Sequence, residues 1–325
     1  MKKRLVLGLA MIMAVGTISA CGGAKVDQEA TPTPVEATNG DVDEAAEVIT
    51  TTEVVFDRAG NEIALPENIE KVMIAGPSNA EILSGLGLGD KIIAADMYSQ
   101  GTEGLGDEVI FFDMMDPDVE QIISLKPDVL LATGMVQDGD DVYNQLINAG
   151  ICVIFIPSST SIQGIEEDIQ YIADVMGVSE QGTKVVEEMQ SKIDAISEIG
   201  KSITDKKSVY FEIAAAPDMY SFGNGVFLNE MIEIIGATNI FAGQESWIAV
   251  TDESILAANP DVILTSVNYI ENPTDEIKFR AGWEVITAIK DGAIYSIDAN
   301  ASNQPSQNIV KALEEMAKAV YPVEY

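Results

Sequence analysis

Histidine is absent from all 325 residues, and cysteine occurs only twice, at Cys21 and Cys152. Without histidine there is no His-ligated zinc, no Ser-His-Asp triad and no His-ligated haem. Cys152 lies inside the apolar run Ile151-Cys152-Val153-Ile154-Phe155-Ile156, which reads as a buried, inert thiol. Arginine is nearly as scarce, at Arg4, Arg58 and Arg280 alone, and aromatic residues make up 6% of the chain. A formal net charge of −35 argues against nucleic acid and against direct binding to anionic lipid headgroups. Enzymatic chemistry is left with carboxylates or lysine, as in a glycosidase, but no aromatic-flanked carboxylate pair stands out. A binding protein is favoured over an enzyme, with a surface adhesin or scaffold as a further alternative.

The N-terminus reads as an export signal. Lys2, Lys3 and Arg4 precede an apolar stretch from Leu5 to Ala20 that is short for a membrane span. It ends in Ile18-Ser19-Ala20-Cys21, small residues before a cysteine, as in a bacterial lipobox where that cysteine receives the acyl chains. Cleavage before a spare thiol is the alternative. Two or three acyl chains anchor a protein stably where one does not. The expectation is a lipid anchor at Cys21 holding the protein on the extracytoplasmic face of the cell membrane. Residues 21–52 carry the anchor and a tether rich in Gly, Ala, Thr, Pro, Asp and Glu, with neither helical nor strand periodicity.

Further along, the chain repeats itself. Val119-Glu120-Gln121-Ile122-Ile123-Ser124-Leu125-Lys126-Pro127-Asp128-Val129-Leu130-Leu131 matches Asp252-Glu253-Ser254-Ile255-Leu256-Ala257-Ala258-Asn259-Pro260-Asp261-Val262-Ile263-Leu264 position by position. Each copy reads as a helix opening with a glutamate, a Pro-Asp turn and a buried strand. An earlier pair agrees: Glu81-Ile82-Leu83 with Gly87 and Asp90, and Glu230-Met231-Ile232 with Gly236 and Asn239. A period above a hundred residues is too long for a solenoid and implies two similar lobes. Strands alternating with helices predict mostly parallel sheets. Between them Glu180–Ile199 carries Val185, Met189, Ile193 and Ile196 on one helical stripe. The expected organisation is a signal peptide over 1–20, anchor and tether over 21–52, an N-terminal α/β lobe over 53–160, a helical segment with one long bridging helix over 161–204, and a C-terminal α/β lobe over 205–325, with a ligand cleft between the lobes. Gly177 to Lys184 and Gly85-x-Gly87-x-Gly89 imitate phosphate- and dinucleotide-binding loops. The first has Thr and Lys in the wrong order and no strand before it, and the second follows a helix instead of opening one.

Several motifs then converge: Val72-Met73-Ile74-Ala75-Gly76-Pro77-Ser78-Asn79-Ala80-Glu81-Ile82-Leu83, Gly87-Leu88-Gly89-Asp90, Phe227-Leu228-Asn229-Glu230, Gly236-Ala237-Thr238-Asn239-Ile240-Phe241, Asn259-Pro260-Asp261-Val262-Ile263 and Arg280-Ala281-Gly282-Trp283. In their order and spacing, from about Val54 to Pro322, the chain resembles the class III solute-binding lipoproteins of ABC importers, the family serving ferric siderophores, haem and cobalamin. The resemblance implies a monomer that works with a permease and its ATPase, has no cofactor of its own, and undergoes modest lobe movement. It also implies that Glu120 and Glu253 dock into arginine pockets of the permease. Read from the residues alone, each glutamate complements a helix dipole behind the N-caps Asp118 and Thr251.

Ligand contacts are expected where strands end at the cleft. The candidates are Tyr98, Met114, Met115, Met135, Tyr220, Phe222, Trp247, Tyr269 and Arg280. Each aromatic either meets ligand or packs its own lobe. Arg280 either grips an anionic group or pairs with a surface carboxylate. So few cations favour a neutral or weakly charged cargo, a hydroxamate-type ferric siderophore or a corrinoid. In haem-binding relatives an axial methionine can stand near Met115, but the partner histidine is missing and only Tyr269 lies in the corresponding region.

Overall fold

The computed structural model describes residues 54–133 and 141–325. The segments expected to be signal peptide and tether, with Cys21, and Met135 lie outside the described residues.

Lobe 1 opens with a hairpin of β1 (Val54–Phe56) and β2 (Glu62–Ala64), paired antiparallel. The Asp57 carboxylate builds its turn by accepting from the backbone N–H groups of Ala59 and Asn61, at 3.0 and 2.8 Å. Then follow β3 (Val72–Ala75), α1 (Pro77–Gly85), β4 (Ile92–Asp96), β5 (Ile110–Phe112), α2 (Val119–Leu125), β6 (Val129–Thr133), α3 (Asp141–Asn148) and β7 (Cys152–Ile156). The five strands β3 to β7 form one parallel sheet in the order β5-β4-β3-β6-β7.

Two helices follow, α4 (Ile162–Val175) and α5 (Ser179–Ser202). Gly177, at φ 72°, turns the chain between them. The 24 residues of α5 span about 36 Å at 1.5 Å per residue. Lobe 2 comprises β8 (Ser208–Glu212), β9 (Tyr220–Phe222), α6 (Phe227–Ile234), β10 (Thr238–Asn239), β11 (Trp247–Ala249), α7 (Asp252–Ala258), β12 (Val262–Thr265), α8 (Pro273–Lys278), α9 (Thr287–Asp291), β13 (Ile294–Ser296), α10 (Ala299–Asn303) and α11 (Ile309–Val320). Its main sheet is also parallel, in the order β10-β8-β12-β13, while β9 and β11 make a separate antiparallel pair.

The repeat seen in the sequence is a repeat in space. Helices α2 and α7 each end in a left-handed residue, Lys126 at φ 50° and Asn259 at φ 46°. The next aspartate of each copy then ties its strand to the lobe's first parallel strand. Asp128 Oδ2 accepts from the Glu70 and Lys71 N–H groups at 2.8 Å, and Asp261 Oδ2 accepts from Ser208 N–H at 2.8 Å. One local sequence thus produces the same cap, turn and strand entry in both lobes.

Alternating strand residues cover both sheet faces. Met73, Leu130 and Val153 pack on one face of lobe 1, and Tyr210 and Ile263 on one face of lobe 2. The opposite faces share one continuous core running from Val72, Ile74 and Leu131 through Ile165, Ile169, Met189 and Ile196 to Phe211, Leu264 and Leu313. The bridging helix is therefore packed along its length. At Gly200 the helix touches the end of α6 so closely that a Cβ would lie 2.0 Å from the Ile234 carbonyl oxygen.

Two glutamates at equivalent repeat positions reach across the lobes. Glu81 on α1 accepts from Ser306 Oγ and from Asn308 Nδ2 at 3.0 Å, just ahead of α11. Glu230 on α6 accepts from the Ile162 N–H at 3.0 Å, where the chain leaves lobe 1. Desolvation pushes the buried Glu81 carboxyl above its usual range despite the hydrogen bonds from Ser306 and Asn308. A carboxyl raised on folding favours the folded state when protonated. That contribution is complete below the ordinary carboxyl range and is lost as pH rises through the raised value. Glu81→Gln keeps an acceptor for both donors without the buried charge. It is expected to raise Tm at pH 7.5 by on the order of 2 °C and to flatten the pH dependence, read by calorimetry at pH 5 and 7.5. A lower Tm at pH 7.5 would show that the charge itself stabilises the lobe contact.

Candidate functional site: an interlobe cleft and a pair of exposed glutamates

Parallel strands deliver their following loops to one edge of each sheet, and the Glu81 contact shows that the two edges meet. Helix α1 starts directly after β3, and residues 306–308 follow β13 through the short α10. The loops after the strands therefore line the space between the lobes.

On the lobe 1 side the organiser is Asp96, fully buried at the end of β4. Its carboxylate accepts from Gly76 N–H at 3.0 Å, Tyr98 N–H at 2.9 Å and Ser99 Oγ at 2.7 Å. Gly76 adopts φ 146°, and a Cβ there would overlap Thr133 Cγ2, so glycine is required at this turn. These bonds leave Tyr98 61% exposed on a short 3-10 turn. After β5 the two methionines part company. Met114 is buried in the lobe, whereas Met115 is 62% exposed.

Three aromatic positions on lobe 2 are exposed. Tyr220 and Trp247 lie on the antiparallel pair β9 and β11, where Trp247 pairs with Phe222 and Tyr220 with Ala249. Trp247 is 46% exposed and meets Phe222 edge-on, ring centroids 6.1 Å apart. Tyr269 projects from the loop after β12, and its hydroxyl oxygen accepts from the Ala215 N–H at 2.9 Å, tying that loop to the one after β8.

Three expectations change, the first being Met114, whose burial in the lobe leaves it no surface for a ligand. Phe222 is fully buried between Phe211 and Trp247, so it supports the exposed indole from beneath and has no surface to offer a ligand. Arg280 is not a free cation. Its Nη1 donates to Glu212 Oε2 at 2.8 Å and its Nη2 to Glu212 Oε1 at 3.3 Å, and a second carboxylate, Glu276, closes on it from the preceding helix turn. The guanidinium stacks over the Trp283 ring at 4.3 Å. Burial alone would lower the Arg280 pKa, but the bonds and charges of Glu212 and Glu276 hold it above the ordinary value. Burial pushes the Glu212 carboxyl up, and Arg280 opposes that rise. Of the two alternatives, an anionic group or a surface carboxylate, Arg280 takes carboxylates: the partly exposed Glu276 and the buried Glu212, 68 residues away in sequence.

Arg58 is likewise engaged, by Asp168 at 2.7 Å and Glu167 at 3.0 Å. Among the described residues no group of three or more His, Cys, Asp or Glu side chains is placed to hold a metal ion. Cys152 is a half-buried free thiol whose pKa burial pushes up to about 11, leaving it unreactive at neutral pH. Surface depressions of about 410–680 Å³ lie on the flanks of lobe 1 and between α4 and α5, away from the expected ligand contacts.

Glu120 and Glu253 are both exposed, each the second residue of its short helix. Asp118 caps α2 by accepting from Gln121 N–H at 3.0 Å. Thr251 caps α7 in a reciprocal box with Ser254. The Glu253 carboxyl is held below its usual range by its own backbone N–H and by the Thr251 hydroxyl.

A family profile described as periplasmic binding protein matches residues 72–301, both lobes and the bridge between them. The chain belongs to the periplasmic binding protein family. The ABC transporter substrate-binding lipoprotein YvrC of Bacillus subtilis (strain 168) is 30% identical, with 99% of this chain and 98% of that protein covered. A cobalamin-binding protein of Halobacterium salinarum is 26% identical over 82% of this chain and 73% of its own length. A solved structure from Staphylococcus epidermidis, a possible iron-binding (periplasmic solute-binding) protein, superposes with TM-score 0.69 at 26% identity, covering 78% of this chain and all of that one. As a member of that family the chain is the substrate-binding component of an ABC transporter. It works with a permease and an ATPase, in a family of binding proteins rather than enzymes.

Proposed function

We propose that this substrate-binding protein captures a corrinoid between its lobes and delivers it to the permease, docking through Glu120 and Glu253. It acts as a monomer held to the membrane by a lipidated Cys21. The observation that carries the cargo assignment is the charge of the cleft loops. Residues 97–100, 113–118, 213–220, 243–247 and 266–272 contain no lysine or arginine, while Asp113, Asp116, Asp218, Glu245 and Glu271 stand among them. With Arg280 and Arg58 each held by two carboxylates, no arginine among the described residues is left to receive an anionic chelate. Catecholate and citrate complexes of iron, and the two propionates of haem, would meet like charge in a poorly hydrated cleft. A corrinoid instead offers a broad apolar face for Tyr98, Tyr220, Trp247 and Met115, and peripheral amides that donate to carboxylates. The similarity to a cobalamin-binding protein supports the same choice. A neutral hydroxamate siderophore shares the lack of negative charge and is the second reading.

Tryptophan fluorescence tests the assignment, because Trp247 is half exposed and Trp283 fully buried. Cyanocobalamin is expected to quench the Trp247 emission saturably. Trp247→Ala should remove that component and weaken binding roughly tenfold, the loss of one well-placed aromatic contact. Unchanged affinity in Trp247→Ala would place the ligand elsewhere.

A further inference from the structure

The two docking glutamates are equivalent in sequence but not in how they are held. Helix α7 has only seven residues, and a helix so short has little stability of its own. It is tied at both ends to the segment from Arg280 to Ala288. At its N-terminal end the Trp283 indole N–H donates to Asp252 Oδ1 at 2.8 Å, immediately before Glu253. At its C-terminal end Asn259 Oδ1 accepts from Thr287 N–H at 2.8 Å, and Asn259 Nδ2 donates to Thr287 Oγ1 at 2.9 Å. The Pro260 carbonyl then accepts from Ala288 N–H at 3.0 Å.

The N-terminal tie has a firm root. Trp283 is fully buried, packs against Tyr210 with ring centroids 6.1 Å apart, and carries the guanidinium of Arg280 on its face. Arg280 is fixed in turn by Glu212 at the end of β8. The indole therefore cannot follow a shifting helix, and the helix must meet the indole. In lobe 1 the positions equivalent to Asp252 and Asn259 are Val119 and Lys126. Among the described residues the side-chain bonds at α2 are local, Asp118 to Gln121 and Ser124 to Gln121.

We propose that Asp252 is a positioning residue for Glu253: by accepting the Trp283 indole proton it fixes the first turn of α7, so that lobe 2 presents a rigid anchor to the permease while lobe 1 presents Glu120 on an adjustable turn. The proposal rests on the docking role given to the two glutamates. Its physical sense lies in orientation. A carboxylate that meets a guanidinium through two parallel bonds needs a defined direction, and a pre-set one loses less freedom on binding. One rigid and one adaptable contact let the permease grip a protein whose lobes shift slightly with cargo.

Two substitutions at this exposed position test the idea. Asp252→Ala removes the acceptor, whereas Asp252→Asn keeps an oxygen for the indole N–H and removes only the charge. In the mature chain, Asp252→Ala is expected to speed hydrogen exchange at the Ser254 and Ile255 amides roughly tenfold, with the α2 amides unchanged. Asp252→Asn should exchange like the wild type. Carboxyl NMR should show Glu253 titrating closer to the ordinary range in Asp252→Ala, because the fraying turn withdraws the N–H and hydroxyl that hold it low. Unchanged α7 exchange in Asp252→Ala would overturn the proposal. So would Asp252→Asn as disturbed as the alanine variant, since charge beside the helix end would then be the cause. Uptake into vesicles carrying the cognate importer separates this from the docking role. Loss of uptake in Glu253→Ala, with a partial loss in Asp252→Ala, supports both. Intact uptake in Glu253→Ala removes the docking role, while the exchange data still decide the positioning.

Discussion

Arg280→Ala is expected to destabilise the folded protein by roughly 3–5 kcal/mol, the largest stability effect of any single charged side chain here. The substitution leaves Glu212 fully buried with its main counter-charge gone. Burial already pushes the Glu212 carboxyl up, and Arg280 is what opposes it. Removing Arg280 therefore raises it further. The sign of the pH effect follows: the variant's deficit shrinks as pH falls and Glu212 takes up a proton, and is largest at neutral pH and above. The guanidinium also covers Trp283, so some packing is lost with the charge. A double variant, Glu212→Gln with Arg280→Met, removes both charges at similar volume and should recover much of the loss. Urea unfolding at pH 5 and pH 7.5 reads all three proteins. An Arg280→Ala protein within 1 kcal/mol of wild type at pH 7.5 would mean that Glu212 finds water or another donor. If Arg280 instead served the ligand, its loss would lower affinity and leave stability alone.

The second large effect concerns delivery. Replacing Glu120 and Glu253 together by alanine is expected to cut importer-dependent uptake by roughly a hundredfold or more, since each truncation would leave a permease cation unpaired in the interface. Binding of cargo by the free protein should not change, because both side chains are exposed on helices outside the cleft loops. Each single variant should fall between, and charge reversal to lysine should be worse than alanine. Uptake retained in the double variant would return both glutamates to the simpler role of complementing their helix dipoles. Weakened cargo binding would mean instead that these helices border the ligand.

Much of this arrangement was legible in the chain because it is local. The cap, the glutamate, the left-handed residue and the Pro-Asp turn of each repeat lie within thirteen consecutive positions, and the same bonds form in both lobes. The stripe of Met189 and Ile196 marked the buried side of the bridging helix for the same reason. What escaped depends on distant partners. Nothing near Arg280 in sequence announces Glu212, 68 residues away, and Glu276 was not singled out as a partner before the fold placed both on the guanidinium. Tyr220 and Phe222 share one face of β9, and only the strand opposite decides that Trp247 covers the phenylalanine and leaves the tyrosine exposed. Glu81 and Glu230 were recognisable as equivalents, yet their bonds to Ser306 and Ile162 span 225 and 68 residues. Asp96 carries a weak signal, an aspartate ending an apolar strand, and its three donors show what it does.

The most direct test of the central claim is calorimetric titration of the mature, unacylated protein against cyanocobalamin, a neutral ferric hydroxamate, ferric citrate, a ferric catecholate and haem. The account predicts one-to-one, sub-micromolar binding of cyanocobalamin and far weaker binding of the anionic complexes. Tight binding of haem or of an anionic iron chelate would contradict it, because the cleft loops would then have to neutralise negative charge with cations they do not contain.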